Sequence, residues 1–324
     1  MTASLEIASR SLGRSGLAIP RIALGCGNFG GIGSAPEFFG HGLDDQQALE
    51  LMDAAWELGI THFDTADAYG GGHSEEMIGR WIGSRGYRPT LTTKTYNPMH
   101  AGADRGLAPD RIRRQLDSSL QRLGVDCIEL YLAHEFDSRV PLGETFGAFE
   151  SLAAAGKLKA YGASNFDAQQ LALALSMAAP RALQNAYSLL ERADEAEVLP
   201  LCDEQGIAYL AFGPLAGGWL TGKYRRDEPF PAHSRMTQRP EPYRALVADH
   251  TFDALEALET FARTRGRTMA AVALAWLLSD DRVTQLVLGP ARPEHLSPLR
   301  EALESPLSPD ERAELKAVFS RWTC

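Results

Sequence analysis

Four ionisable side chains fall where they could act together: Asp64 and Tyr69 in FDTADAYG, Lys94 in LTTKTYN and His134 in LYLAHEFD. Each lies at or just beyond the end of a short apolar run that reads as a β-strand, and parallel strands that neighbour one another would aim all four at one mouth. Singly, each has an ordinary explanation. Asp64 could satisfy a loop amide, Lys94 could be solvated, His134 could be a hydrogen-bonded imidazole and Tyr69 could pack a loop. On three successive strand ends they form a chemical unit. A phenol of reference pKa ~10 is a poor acid near neutrality unless positive charge stabilises its phenolate. Lys94 would supply that charge, Asp64 would hold the ammonium in an ion pair, His134 would hydrogen-bond a carbonyl oxygen and Tyr69 would donate the proton. An acid aimed at a carbonyl, in a chain with no nucleophile elbow and no metal-binding spacing, calls for an external hydride, and reduced nicotinamide is the usual source.

The elements that must position these residues alternate regularly. Strands are expected at 21–24, 61–64, 90–94, 127–133, 159–163, 182–186, 207–212 and 284–288. Between them lie helical patterns at 44–58, 74–82, 109–123, 142–155, 167–177, 193–205, 252–265 and 269–278, and two further helices close the chain. Asp44 or Asp45 caps the first helix, and Pro141 begins the fourth in a favoured place. Eight strands alternating with helices over ~300 residues favour a closed (β/α)8 TIM barrel over an open sheet, as one domain over 1–324. Residues 5–17, with a turn at Gly13 to Gly16, suggest a hairpin capping the barrel bottom. Residues 217–244, rich in Pro, Gly, Arg and Asp, form a long loop of the functional kind, expected to lie over cofactor or substrate.

Here the sequence resembles the aldo-keto reductase superfamily, in particular its bacterial members, from about Leu12 to about Leu299. The resemblance rests on FDTADAYG, the TK pair containing Lys94, YLAH ending at His134, GASN from Gly162 to Asn165, QNAYSLL from Gln184 and FGPLAGGWLTGKY from Phe212. It implies a barrel that binds an extended nicotinamide dinucleotide and passes hydride to an aldehyde or ketone, with Tyr69 protonating the oxygen. It further implies that Ser164, Asn165 and Gln184 hydrogen-bond the nicotinamide carboxamide and that Phe212 stacks on the ring. By themselves these residues read as a helix cap, two networked amides and a core aromatic. Gly213, Leu215 and Gly217 would lie over the pyrophosphate, where glycines permit close backbone approach. Gly289 and Arg292 in LGPARPEHL match the adenosine-phosphate segment, and Arg292 would meet a 2'-phosphate, favouring NADPH over NADH. His295 and Leu299 depart from the family pattern of Gln or Arg followed by Asn, which weakens the adenine contacts. Glu135 also departs, standing where many members have a larger apolar or basic residue; it could hydrogen-bond a polyol or face solvent. Phe29, Tyr96, Phe136 and Trp219, aromatic residues near expected loop tips, could line an apolar substrate mouth.

Composition narrows the classes further. The 324 residues are 44% hydrophobic and 23% charged, as in an ordinary globular protein. With 32 Lys and Arg against 42 Asp and Glu, the net charge of −10 disfavours nucleic acid and anionic membranes as partners. A small-molecule carbonyl or alcohol is the expected partner, and the oligomeric state is left open. Cys26, Cys127, Cys202 and Cys324 are too sparse for a disulfide framework. No secretory pattern opens the chain and the longest apolar run, 269–278, is too short to span a bilayer, so the cytoplasm is the expected location. No H-x-H or H-E-x-x-H spacing supports a metal hydrolase, and no metal is expected. The alternative to a reductase is a nucleotide-binding, redox-sensing regulatory subunit with little turnover, as the superfamily's channel β subunits imply.

Overall fold

A computed structural model describes residues 4–320. After a hairpin of β1 (Ser9–Ser11) and β2 (Ala18–Pro20), the barrel strands are β3 (Ile22–Gly25), β4 (His62–Asp64), β5 (Thr90–Thr95), β6 (Ile128–Ala133), β7 (Leu158–Ser164), β8 (Ala182–Ala186), β9 (Ala208–Phe212) and β10 (Val283–Leu288). All eight are parallel and close in sequence order, with β10 returning to β3. Helices α1 (Asp45–Leu58), α2 (His73–Arg85), α3 (Pro109–Leu123), α4 (Leu142–Ala154), α5 (Ala168–Met177) and α6 (Val198–Gln205) follow β3 to β8 in turn. After β9 come the short α7 (Arg235–Gln238), then α8 (Asp249–Thr264) and α9 (Met269–Leu278); α10 (Ser297–Glu304) and α11 (Pro309–Ser320) follow β10. The chain is a (β/α)8 TIM barrel with an N-terminal hairpin and extra C-terminal helices.

Local chemistry explains the boundaries. Asp44 accepts from the Gln47 backbone at 2.9 Å while Gln47 reaches back to the Asp44 N–H, a reciprocal cap that starts α1. The sequence pattern suggested a helix over 193–205, but α6 begins only at Val198, after a separate 3-10 turn at Ala193–Glu195. Pro200 is the reason: with no N–H to donate, it is tolerated in a helix's first turn and would break one begun at residue 193.

The hairpin also differs from the expectation. Its turn is where Gly13 and Gly16 stand, both at positive φ, but the pairing joins Ser9–Ser11 to Ala18–Pro20, beyond residue 17, while Leu5 donates to Leu58 at the end of α1 instead. Leu12 and Ile19 thereby project from the hairpin into the barrel end, where they pack on Leu130, Leu132, Ala160, Ala182, Ala208 and Leu210. On the outer face of β6, Tyr131 and Ala133 join the larger core under the helices.

The expected long loop at 217–244 contains more structure than its composition suggested: 3-10 turns at Ala216–Thr221 and Glu241–Leu246, with α7 between them. Trp219 anchors it, packing against Tyr224, Phe230 and Phe252. Arg239 donates to the Ile32 carbonyl at 2.6 Å and Arg235 to the Asn28 side chain, tying the segment to the loop after β3. Among the described residues no helix is long and apolar enough to cross a membrane, and Cys26, Cys127 and Cys202 are free thiols; Cys324 lies outside the described residues.

Candidate active site

Asp64, Lys94 and His134 arrive at one end of the barrel because β4, β5 and β6 are adjacent and in register, Asp64 opposite Thr92 and Lys94 opposite Leu132. The ladder continues beyond the strands. Asp67 donates its backbone N–H to the Lys94 carbonyl and His134 donates its own to the Thr95 carbonyl, each at 3.0 Å, so the Tyr69 loop and His134 are both pinned to β5. Behind Tyr69 the chain turns back through Gly70, Gly71 and Gly72, all at positive φ; a Cβ on Gly70 would lie 2.7 Å from the Phe29 carbonyl oxygen.

The four side chains meet. Lys94 Nζ lies 2.5 Å from Asp64 Oδ1, 2.8 Å from the Thr65 carbonyl and 3.5 Å from the Tyr69 hydroxyl. The Tyr69 and His134 rings meet edge to face with centroids 5.6 Å apart. Asp64 and Lys94 are buried, 2% and 1% exposed, so their pairing is a condition of keeping either charge there.

Burial dominates the electrostatics. It opposes charge on Lys94, but Asp64 and Tyr69 outweigh it and hold the ammonium above its ordinary pKa. Burial also raises the Tyr69 phenol, and Lys94 only partly offsets that. The sequence argument anticipated a phenol made more acidic by its cation; the structure instead leaves Tyr69 firmly protonated, because removal from water costs the phenolate more than one ammonium already paired to a carboxylate returns. Burial, reinforced by Lys94, pushes His134 well below the usual imidazole range, so it is neutral. Asn97 Nδ2 approaches His134 Nδ1 at 3.5 Å; an amide N–H donated there leaves the ring proton on Nε2.

Around this centre the residues matched to a nucleotide are arranged in two groups. Ser164 and Gln184 are buried and paired in register on β7 and β8, and Asn165 is exposed just beyond, its backbone at φ +59°. Gln184 donates to Asp64 Oδ2 at 2.7 Å, so its amide nitrogen is already committed to the ion pair. Phe212 is half-buried at the end of β9, and Gly213, Ala216, Gly217 and Gly218 all take positive φ in the turn that follows, with Leu215 half-buried among them. Gly289 and Arg292 are exposed after β10.

Sequence reasoning named Arg292 but missed the other cations beside this turn, Lys223, Arg235 and Arg239. Among the described residues, Lys223, Arg235, Arg239 and Arg292 enter no ion pair. Burial lowers both Lys223 and Arg235, with repulsion from Arg235 adding to the first and from Arg239 to the second, and Lys223 with Arg292 adds to the burial that lowers His295. Cations gathered without a counter-charge, beside backbone bent for close approach and a row of polar amides, suit a phosphate-bearing nucleotide; the residues present fit a nicotinamide dinucleotide. The signal was Lys223 in LTGKY and Arg235 in HSRM, twelve residues apart and without meaning for a ligand until the fold brings them together.

The suggested mouth residues separate. Tyr96 and Phe136 are half-buried, Phe136 against Phe166 at 5.4 Å, and Glu135 is half-buried beside His134. Phe29 and Trp219 have no exposed surface and belong to the core. A buried layer behind the tetrad was also unread: Arg111 of α3 donates to Thr95 Oγ1 at 2.8 Å and to the Asn97 carbonyl at 2.7 Å, and Thr95 donates to Asp67 at 2.6 Å. Burial pushes Asp67 up to about 7. Among the described residues no group of three His, Cys, Asp or Glu side chains could hold a metal ion.

Known proteins are similar to this chain over almost its whole length. YrpG of Bacillus subtilis (strain 168), an uncharacterised oxidoreductase, is 36% identical over 95% of this chain and 94% of its own length. An L-glyceraldehyde 3-phosphate reductase of Escherichia coli (strain K12) is 32% identical over 91% of this chain and 87% of its own length. The structure of the glycerol dehydrogenase AKR11B4 from Gluconobacter oxydans superposes with a TM-score of 0.81 at 27% identity, covering 99% of this chain and 96% of that one. The model of the Aldo/keto reductase family matches residues 21–319, nearly the whole barrel and the end that carries Asp64, Tyr69, Lys94 and His134, and the chain belongs to that family as an NAD(P)-dependent oxidoreductase acting on carbonyl compounds.

Proposed function

We propose that the protein reduces a small aldehyde or ketone, of the sugar-derived kind among others, to the alcohol with NADPH as the preferred donor and Tyr69 as general acid. The observation that carries this reading is the buried Lys94 ammonium in contact with both Asp64 and the Tyr69 hydroxyl. When bound, the reduced nicotinamide supplies the hydride; the rest of the chemistry belongs to the chain. His134, neutral and protonated on Nε2, donates to the carbonyl oxygen and orients it. As negative charge develops on that oxygen, Tyr69 gives up its proton. The phenolate left behind lies beside Lys94, whose charge is fixed by Asp64 and so is already in place when the reaction needs it. Asp64 in turn is held by Gln184, which ties the β8 side of the site to the acid.

Ser164 and Asn165, together with the free amide oxygen of Gln184, would hold the carboxamide, Phe212 would stack on the ring, and Gly213, Leu215 and Gly217 would follow the pyrophosphate. Arg292 would meet a 2'-phosphate after Gly289, with Lys223 and Arg235 adding charge, which supports NADPH over NADH. The oxidoreductase relatives favour turnover over a nucleotide-sensing role.

The test is Tyr69→Phe. Consumption of NADPH with a panel of aldehydes and ketones should fall on the order of 10²–10⁴-fold, the usual worth of a positioned acid, while nucleotide affinity, read by fluorescence titration, stays within a few-fold. Reduction that survives in the variant would remove Tyr69 from the proton-donor role.

A further inference from the structure

Of Asp64, Asp137 and Glu135, three acids at the ends of β4 and β6, the first two are neutralised by neighbours and the third is not. Asp64 pairs with Lys94; Asp137, despite its burial, is held below the usual carboxylate range by Arg139 and the Leu107 N–H. Glu135 enters no ion pair among the described residues. Its hydrogen-bond partner is the Asn165 amide, which donates to Glu135 Oε1 at 3.2 Å, to the His134 carbonyl at 2.9 Å and to Ser164 Oγ at 3.3 Å. The amide is presented by a backbone at φ +59°, a conformation asparagine adopts more readily than most residues. Glu135 is half-buried, and desolvation alone raises its carboxyl, with no charged group contributing.

An acceptor-only group is thus held, uncompensated, one residue from the imidazole that orients the carbonyl. A carboxylate with one lone pair committed to Asn165 retains others for hydroxyl donors. It also repels a second anion across a partly desolvated gap, where Coulomb interactions are several times stronger than in water.

The geometry points to Glu135 as the residue that sets substrate class: it accepts a hydroxyl carried near the reacting carbonyl and turns away carbonyl compounds bearing carboxylate or phosphate. This inference rests on the proposed reductase reading and deepens it, selecting uncharged hydroxyaldehydes and hydroxyketones.

The experiment compares kcat/KM for glyceraldehyde, propionaldehyde, succinic semialdehyde and glyceraldehyde 3-phosphate in the wild type, Glu135→Gln and Glu135→Leu, with Tyr69→Phe alongside. In the wild type, glyceraldehyde should exceed both anionic aldehydes by about 10-fold or more, in keeping with one unscreened like-charge contact. Glu135→Gln keeps an acceptor and removes the charge, so the ratio of anionic to neutral kcat/KM should rise about 10-fold. Glu135→Leu removes the acceptor as well, and the ratio of glyceraldehyde to propionaldehyde should fall about 5-fold, the loss of one hydrogen bond. A wild type that prefers the phosphate ester, or ratios unmoved by either variant while propionaldehyde reduction still depends on Tyr69, overturns the role of Glu135 alone. Propionaldehyde reduction that persists in Tyr69→Phe overturns the underlying reading instead.

Discussion

On the proposed mechanism, Lys94 has to be charged in a place that resists charge, and Tyr69 has to keep a proton until a neighbouring oxygen needs it. Lys94→Met should therefore do two things. Turnover should fall at least ~100-fold, and the alkaline limb of the kcat profile should move upward, because Lys94 is the group pulling against the burial that already raises the phenol. Profiles taken from pH 6 to 11 would check this; a limb that stays put would uncouple the two residues. Thr95→Val is a second case at this scale. It strips partners from Arg111 and Asp67 together and should cost about 1–3 kcal/mol of stability, measured by denaturant midpoint. The tetrad was legible in the sequence because reactive residue types recur at strand ends. The Thr95 layer was not: Arg111, Gln115 and Ser119 sit on the buried face of α3, and a polar residue there has meaning only once its partner across the barrel wall is known.

Among the elements, strands and helices could be read from period and from terminal residues, and α3, α9 and β8 have the bounds that their patterns suggested. Departures follow local rules that compete with periodicity, as where Pro200 delays α6. Aromatic residues near loop tips are harder to read, since nothing in one residue's neighbours tells whether a loop folds inward; Trp219 looked like a mouth residue and is the core of its segment instead. The hairpin offers a test of packing without chemistry. Leu12→Ala should cost about 2–5 kcal/mol by denaturation, as for other buried leucines, and leave the Tyr69-dependent rate per folded molecule unaltered, because Leu12 belongs to the end of the barrel away from Lys94.

For the molecule as a whole, two fully buried titratable groups work against each other. His62, inside the barrel, is fixed between Thr92 Oγ1 and Gln285 Nε2, each at 2.8 Å, and burial holds it down to about 3. The unfolded chain takes up that proton near pH ~6.5, so its stabilisation is complete above that pH and is lost as pH falls toward 3. Asp67 has the opposite sign. Raised to about 7, it stabilises the fold below its unfolded value of ~3.9 and loses that contribution as pH rises through 7. Unfolding free energies between pH 4 and 8 should therefore fall less steeply toward acid in His62→Gln than in the wild type, and Asp67→Asn should remove the loss toward pH 7.

The hairpin has one more consequence. Leu12 and Ile19 pack into one end of the barrel against Leu130, Leu132 and Leu210, and Lys94 and His134 belong to the other end. A stopper of a dozen residues, Ser9 to Pro20, thus settles by packing alone which end of the barrel is left to the reactive side chains.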